Sequence, residues 1–331
     1  MFQKNVYLER RKKLKENLKT GLVFIIGNEE SPMNYEDNTY HFRQDSTFLY
    51  YFGISSPGLY AVIDIDNDKE VIFGDNLTID SIVWMGTHPS IADKARSVGV
   101  NLTVAVKELK NFLENIKKSK QEILFVNPYR DTHKIKLFNL LDIHPNNVSE
   151  NASVRLMKAI AQQRSVKEER EIIEIDKAVK TTGEMHIAAM QMTRPGMSEA
   201  QIAAEIQRIA VASGGQLSFP TIATINGQTL HNHYHGNVIK EGQTMLVDAG
   251  AETSMGYAGD MSSSFPVSRK FTSQQKDIYQ VALNAHEAAI AELKPGVKFK
   301  EVHLKAAATI VEGMKELGFM KGSVEDAVNN G

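Results

Sequence analysis

MLVDAG at Met245–Gly250 and GYAGDMS at Gly256–Ser262 form the stretch that decides the fold of this chain. The first run is apolar and predicts a buried strand, and the second predicts its return after a polar connection. We expect the hairpin to turn about residue 254, which would place Asp248 directly opposite Asp260. Opposed residues of an antiparallel pair have Cβ atoms about 4.5–5.5 Å apart. Two carboxylates at that separation repel each other unless a cation lies between them. The hairpin therefore predicts a site for divalent metal ions.

The alternative interpretation is that both aspartates flank a turn at the protein surface. The context favours the metal site. Gly250, Gly256 and Gly259 crowd the same hairpin, as is typical where backbone passes close to another group. The residues that flank the hairpin are apolar, so we do not expect the acids to point into open water.

These residues resemble the metal-binding hairpin of the pita-bread metallopeptidases, the family of methionine aminopeptidase, prolidase, creatinase and aminopeptidase P. The order VDAG (247–250), GYAGD (256–260) and SFPV (264–267) is most similar to aminopeptidase P (Xaa-Pro aminopeptidase) or prolidase. The resemblance implies two divalent metal ions, which we expect to be Mn(II), with Asp248 and Asp260 as ligands.

The rest of the metal site is also implied by the resemblance. One His and two Glu complete the family's ligand set, and we expect them beyond Gly331. The two aspartates are one residue further apart than in the family, and we place the insertion in the turn at Thr253–Met255.

A second motif near the N-terminus supports the same family. HFRQDSTFLYYFG at His41–Gly53 resembles the signature of the non-catalytic domain that precedes the peptidase fold in aminopeptidase P and prolidase. VWMG at Val83–Gly86 resembles a Trp-x-Gly element of that domain. In oligomeric members this tryptophan reaches a neighbouring subunit's active site, which makes Trp84 a candidate substrate-binding residue and implies a homodimer or homotetramer. The alternative is a packing aromatic.

The chain of 331 residues is long enough for two domains. Alternating helical and strand patterns predict an α/β domain over residues 1–160, of the creatinase/prolidase N-terminal type. Residues 161–331 are expected to form the first part of an α+β pita-bread domain. A long helix starts this part, with a predicted core-facing stripe of Ile172, Ile175, Val179, Met185, Ala189 and Met192.

A repeated Pro-Gly pair supports the pita-bread fold, which is a pseudo-two-fold duplication of helix pairs around a curved sheet. RPGM at Arg194–Met197 and KPGV at Lys294–Val297 lie 100 residues apart, each between a long and a shorter helix. The strands of the second half are missing, and we expect residues 329–331 to be a loop. We therefore expect this sequence to be a truncated piece of a longer enzyme.

LHNHYH at Leu230–His235 places three imidazoles in alternation on a segment that reads as a strand. Such a pattern could bind zinc or lie at the surface. The resemblance implies instead a histidine that contacts the substrate, upstream of the first metal-binding aspartate. This role falls on His231, with His233 as the fallback.

The composition excludes several classes of protein. The net charge is −2 with acids and bases interspersed, which argues against nucleic-acid and membrane-surface partners. No apolar run approaches the length of a membrane span, and Met1 does not start a signal peptide. The absence of cysteine excludes thiolate metal sites and fits a reducing cytoplasm.

The resemblance implies a metallo-aminopeptidase that releases the N-terminal residue from peptides with proline in second position. A prolidase, which takes only Xaa-Pro dipeptides, and a catalytically inactive binding module of the same fold are the alternatives. We expect the 331-residue chain alone to have little or no activity, because two ligands cannot hold two metal ions.

Overall fold

The computed structural model describes residues Met1–Asn330, which divide into two units. Unit 1 comprises Met1–Ile175 and Ser254–Tyr257, and unit 2 comprises Asp176–Thr253 and the residues from Ala258 on. The expected boundary after residue 160 falls within a helix of unit 1, and this unit continues to Ile175. Among the described residues, no helix combines the length and the hydropathy needed to cross a bilayer.

The strands of unit 1 are β1 (Leu22–Ile26), β2 (Pro32–Tyr35), β3 (Asn38–Thr39), β4 (Tyr60–Asp64), β5 (Lys69–Phe73), β6 (Leu102–Val104) and β7 (Ile123–Leu124). In the described chain they form a mixed sheet of order β6-β5-β4-β1-β7 and a separate β2–β3 ribbon. β1 is buried at every position. Val23 and Ile25 belong to one apolar cluster and Phe24 to another, so both faces of the sheet are covered.

The helices of unit 1 are α1 (Lys4–Leu18), α2 (Ser46–Phe52), α3 (Ile79–Met85), α4 (Ile91–Ser97), α5 (Leu109–Lys118), α6 (Asp131–Leu141), α7 (Val148–Asn151) and α8 (Val154–Ser165). The predicted α/β class of this part is confirmed. The motif at His41–Gly53 builds α2, because Asp45 accepts hydrogen bonds from the backbone of Thr47 at 2.8 Å and Phe48 at 2.9 Å. Gly53 ends the helix with φ 61°.

The long helix α9 (Glu169–Met192) is followed in unit 2 by α10 (Glu199–Ala212), α11 (Ser273–Glu292), α12 (Phe299–Glu316) and α13 (Val324–Asn330). The strands are β8 (Gln216–Leu217), β9 (Ile222–Thr224), β10 (Thr244–Ala249), β11 (Ala251–Glu252) and β12 (Met261–Pro266). Within the described residues β12, β10 and β9 form an antiparallel sheet in that order, and β11 pairs with β8. One face of this sheet packs on α9 and α10 through Met185, Ile202, Ile206, Met245 and Val247.

The two Pro-Gly pairs have the same conformation. Each lies between two helices, α9 and α10 or α11 and α12, and the φ angles are 92° at Gly196 and 90° at Gly296. Ser198 with Gln201 forms the predicted capping box at the start of α10. The predicted repeat of helix pairs is therefore confirmed.

The loop expected at residues 329–331 was wrong at Asn329 and Asn330, because α13 extends to Asn330, and Gly331 lies outside the described residues. The residues at the start of α13 are typical of a helix N-terminus. The Ser323 hydroxyl accepts the backbone N–H of Asp326 at 3.2 Å, and Glu325 and Asp326 lie in the first turn, where acidic groups favour the helix dipole.

Candidate metal and substrate site

The hairpin at the centre of the predicted site forms, but its register differs from the expected one. β10 and β12 pair Asp248 with Ser262, and a bridge between Glu252 and Ala258 continues the same register. The turn is thus centred on residue 255, and Asp260 lies opposite Gly250. The prediction that Asp248 and Asp260 oppose each other directly was wrong, because a change of one residue in the turn centre moves the partner by two.

The two aspartates nevertheless share one face of the hairpin. Opposed residues in an antiparallel pair point to the same face, so Asp248 shares its face with Ser262. Asp260 lies two residues before Ser262 and keeps that face under strand alternation. The acids are diagonal neighbours, whose Cα atoms stand about 7–8 Å apart in such pairs. Carboxylates placed in this way can converge on a shared pair of cations.

The environment of Asp248 fits a cation. Its side chain is half-buried, and Oδ1 is buried without a hydrogen-bond partner among the described residues. A buried carboxylate oxygen without a partner is unfavourable unless another positive or donor group compensates it. Asp260 is exposed. Within Met1–Asn330 no group of three or more His, Cys, Asp or Glu could hold a metal ion.

Two glycines of the hairpin are required by close packing. A Cβ on Gly250 would overlap the carbonyl oxygen of Gly259 on the returning chain. A Cβ on Gly259 would overlap the hydroxyl of Thr182 on α9 and lie 2.9 Å from the Ala178 carbonyl oxygen. The same Thr182 hydroxyl accepts the N–H of Ala251 at 2.9 Å. The expectation that these glycines mark a close backbone approach is confirmed.

This contact explains which face of α9 is buried. The predicted stripe is confirmed at Met185 and Ala189, which are fully buried. It was wrong at Ile172 and Val179, which are 41% and 36% exposed. Where the hairpin backbone lies directly on the helix, the buried residues of α9 are the small Ala178 and the hydroxyl-bearing Thr182. Apolar periodicity cannot detect such a face.

His186 joins α9 to both strands of the hairpin. Its ring is 5% exposed, with Nδ1 2.7 Å from the Ser263 hydroxyl and Nε2 3.3 Å from the Ala249 carbonyl oxygen. Ala249 follows Asp248 directly, so His186 fixes the backbone next to the candidate ligand. This is the role of a hydrogen-bonded core histidine.

The histidine-rich segment is a loop, and the prediction of a strand there was wrong. His231 and His233 are exposed, and His235 is hydrogen-bonded through Nε2 to the Thr221 carbonyl oxygen at 3.1 Å. The three rings therefore do not form a shared zinc site. Near the start of the loop, the backbone at Gly227 approaches Leu246 so closely that a Cβ would lie 3.2 Å from its Cδ1. Leu246 lies two residues before Asp248 on the same face, so the loop leaves the sheet on the side of the candidate ligands.

Trp84 lies on α3 in unit 1 and is 87% exposed. It is not a packing aromatic within the described chain. Ile79 and Val83 on the same short helix are 81% and 77% exposed, so α3 presents an apolar surface.

Sequence reasoning missed two residues that shape the site, Thr182 and Glu199. The capping box that starts α10 was readable, but nothing in the sequence indicated that Glu199 inside it is fully buried. The spacing of Ala178 and Thr182, one helical turn apart, could have indicated a surface that admits a neighbouring backbone.

Comparisons with known families agree with both parts of the chain. Residues 7–126 match the aminopeptidase P N-terminal domain, and residues 174–326 match metallopeptidase family M24. A probable Xaa-Pro aminopeptidase of Aspergillus niger is 28% identical over 93% of this chain and 66% of that protein. The Xaa-Pro aminopeptidase of Escherichia coli is 26% identical over 97% of this chain and 75% of that protein.

Solved structures show the same fold. Aminopeptidase PepP of Pseudomonas aeruginosa has a TM-score of 0.88 and 22% identity, with 99% of this chain and 76% of that chain covered. Zinc-substituted aminopeptidase P of E. coli in complex with product has a TM-score of 0.85 and 25% identity, with 99% and 77% covered. Across the curated relatives, this chain spans between about half and three-quarters of their length.

Proposed function

Because residues 174–326 match metallopeptidase family M24 and residues 7–126 match the aminopeptidase P N-terminal domain, we propose that the protein is a Xaa-Pro aminopeptidase. The proposed substrates are peptides with proline in second position, from which the N-terminal residue is released. The observation that carries the proposal is the hairpin with Asp248 and Asp260 on one face, together with the unpartnered Oδ1 of Asp248.

In this proposal Asp248 and Asp260 hold two divalent ions, and one His and two Glu from outside this sequence complete the site. Hard carboxylate oxygens are compatible with Mn(II). When bound, the ions would polarise the scissile carbonyl and lower the pKa of the attacking water. The contribution of this chain is to hold two acids on a rigid hairpin, fixed by His186 and by packing on α9.

His231 is the proposed substrate-contacting residue, and His233 is the alternative. An imidazole N–H beside the developing oxyanion stabilises the transition state by about 3 kcal/mol in comparable sites. The loop that carries both histidines starts on the face of Asp248, which supports this assignment. We expect His231→Ala to lower kcat with little loss of bound metal.

The proposed assembly is a homodimer or homotetramer in which Trp84 reaches the active site of a neighbouring subunit. The exposure of Trp84 supports this role. We propose no nucleic-acid or membrane partner, in keeping with the net charge of −2. The composition of the chain is compatible with the cytoplasm, where we propose that the protein works.

The test measures hydrolysis of Gly-Pro-Ala and Gly-Pro by protein extended to the length of the relatives, with and without Mn(II). We expect metal-dependent cleavage of the tripeptide, and a loss of at least about 100-fold in kcat/KM for Asp248→Asn and Asp260→Asn. The control is Asp277→Asn, which removes an exposed acid on α11. The 331-residue chain alone should show little activity in the same assay.

Three outcomes would contradict the proposal. Cleavage of the dipeptide alone would identify a prolidase. Binding of peptide without cleavage would identify an inactive binding module. Activity that survives both aspartate substitutions would remove the metal site from the mechanism.

A further inference from the structure

Glu199 is a fully buried acid at the start of α10, and nothing in the proposed mechanism uses it. Its carboxylate accepts four hydrogen bonds. Oε1 accepts the Thr224 hydroxyl at 3.0 Å and the Ile225 backbone N–H at 2.8 Å. Oε2 accepts the Asn237 side-chain amide at 2.9 Å and the Asn237 backbone N–H at 3.3 Å. A buried carboxylate with all of these donors is a structural clamp, since each bond to a charged acceptor is stronger than a neutral one.

The clamp holds both ends of one loop. Ile225 follows β9 and Asn237 lies at the far end of the irregular segment that carries His231 and His233. The backbone N–H of Glu199 also donates a hydrogen bond to the Asn237 carbonyl oxygen at 3.1 Å, which gives the same end of the loop a further contact with Glu199. The two candidate histidines therefore lie on a loop whose ends meet at a single side chain.

Thr224 links Glu199 to the centre of the loop through its own hydrogen bonds. Because its hydroxyl proton is donated to Glu199, its oxygen remains an acceptor for other groups. It accepts the Asn226 N–H at 2.9 Å and the Asn232 side-chain amide at 3.2 Å. A continuous chain of hydrogen bonds therefore connects Glu199 to Asn232, the residue that lies between His231 and His233 in the sequence.

Thr224 also connects the loop to the face of the sheet that carries Asp248. β9 and β10 pair Thr224 with Leu246 and Ile222 with Asp248. Opposed residues share a face, so the Thr224 side chain lies on the face of the sheet that carries Asp248. The loop is thus fixed beside the candidate ligands.

We propose that Glu199 and Thr224 are positioning residues that fix the histidine loop, Ile225–Asn237. They would hold His231 beside the face of the sheet that carries Asp248. This inference rests on the proposed function for its catalytic consequence, whereas the clamp itself can be tested without activity. Neither residue touches the reacting atoms. Their contribution is preorganisation, since a loop that is already ordered loses less conformational freedom when the transition state forms.

Glu199→Gln tests the direction of the hydrogen bonds. A glutamine presents an NH2 group at one of the two oxygen positions, so it faces a backbone N–H donor at Ile225 or at Asn237 and cannot accept from it. Thr224→Val removes the hydroxyl at nearly constant volume, and Thr224→Ser restores it. The matched control is Glu205→Gln, the same substitution on α10 at a residue that pairs with the exposed Arg208.

The first measurement is hydrogen exchange of residues 225–237 in the 331-residue chain, with thermal unfolding as a check that each variant folds. We expect exchange at least tenfold faster in Glu199→Gln and Thr224→Val, and wild-type exchange in Glu205→Gln and Thr224→Ser. Wild-type exchange in Glu199→Gln would overturn the clamp. If Glu199→Gln fails to fold, Thr224→Val decides in the same way.

The second measurement is kinetic, in protein extended to the length of the relatives. Glu199→Gln and Thr224→Val should lower kcat at least tenfold with KM changed less than threefold, and Thr224→Ser should recover kcat. Faster loop exchange with an unchanged kcat would overturn the positioning role. If the control and the unaltered enzyme also fail to cleave Xaa-Pro peptides, the proposed function is wrong, and the exchange result still decides the clamp.

Discussion

His133 is a buried titratable group of unit 1, placed on α6 and 5% exposed. Its Nε2 has no hydrogen-bond partner among the described residues. Burial, and next the positive charge of Lys136, lower the pKa of His133 from its ordinary value of 6.5. Asp45 opposes this shift to a smaller extent. The imidazole is therefore neutral in the folded protein under conditions where the unfolded chain binds a proton.

The sign of the stability change follows from this depressed pKa. Below pH 6.5 the unfolded chain binds more protons at this site than the folded one, so the folded state loses stability as the pH falls from 6.5 towards the lower folded value. We expect His133→Gln to reduce the loss of unfolding free energy between pH 7.5 and 5.5. Urea unfolding at several pH values measures it. The control is His144→Gln, which replaces an exposed histidine, and an equal slope in both variants would contradict the prediction.

At the scale of elements, the backbone of the hairpin packs directly against helix α9. Gly259 lies against Ala178 and Thr182, and the Thr182 hydroxyl accepts a hydrogen bond from the hairpin. The position of Asp260 is set by this contact, because it follows Gly259 directly. Because Gly259 has no side chain, the hairpin backbone can approach α9 this closely.

Gly259→Ala tests that contact. The added methyl group would overlap Thr182 and press on the Ala178 carbonyl, so we expect a loss of about 1–3 kcal/mol in unfolding free energy, as for overpacked sites. Gly183→Ala on α9 is the matched control, because its Cβ meets open space and should stabilise the helix by about 0.5–1 kcal/mol. Chemical unfolding of both variants gives the comparison. If Gly259→Ala left the free energy of unfolding unchanged, the hairpin would be able to move away from α9.

At the scale of the whole molecule, α3 carries an exposed apolar surface, which we propose to be covered in the homo-oligomer. Trp84 is the single tryptophan of the chain, so its fluorescence reports on this helix alone. An isolated chain should show a red-shifted emission that acrylamide quenches fully, because the side chain is 87% exposed.

The proposed homo-oligomer predicts that quenching weakens as the protein concentration rises. Val83→Ser should remove this dependence, since it replaces a residue that is 77% exposed on the same helix. Ile187→Ser is the control, because it removes an exposed apolar side chain (55%) from a different helix, α9. Sedimentation at the same concentrations gives the assembly size. Quenching that is independent of concentration would separate Trp84 from any subunit interface.

The amino-acid sequence alone determined the features that are encoded within a few residues. The hairpin, its glycines, the capping box at Ser198, the repeated Pro-Gly pairs and the α/β class of the first part were all readable, because caps and turns depend on local backbone chemistry. The two candidate aspartates were also identified by their motif. Their assignment as metal ligands stays a prediction.

Only the tertiary structure decided the register that makes Asp248 and Asp260 diagonal neighbours, the polar face that α9 buries, and the convergence on Glu199. These features depend on residues far apart in the chain. A hairpin turn moves by one residue if its backbone gains a better contact elsewhere, and a buried carboxylate is stable only where distant donors surround it. No pattern within a short window of sequence contains those partners.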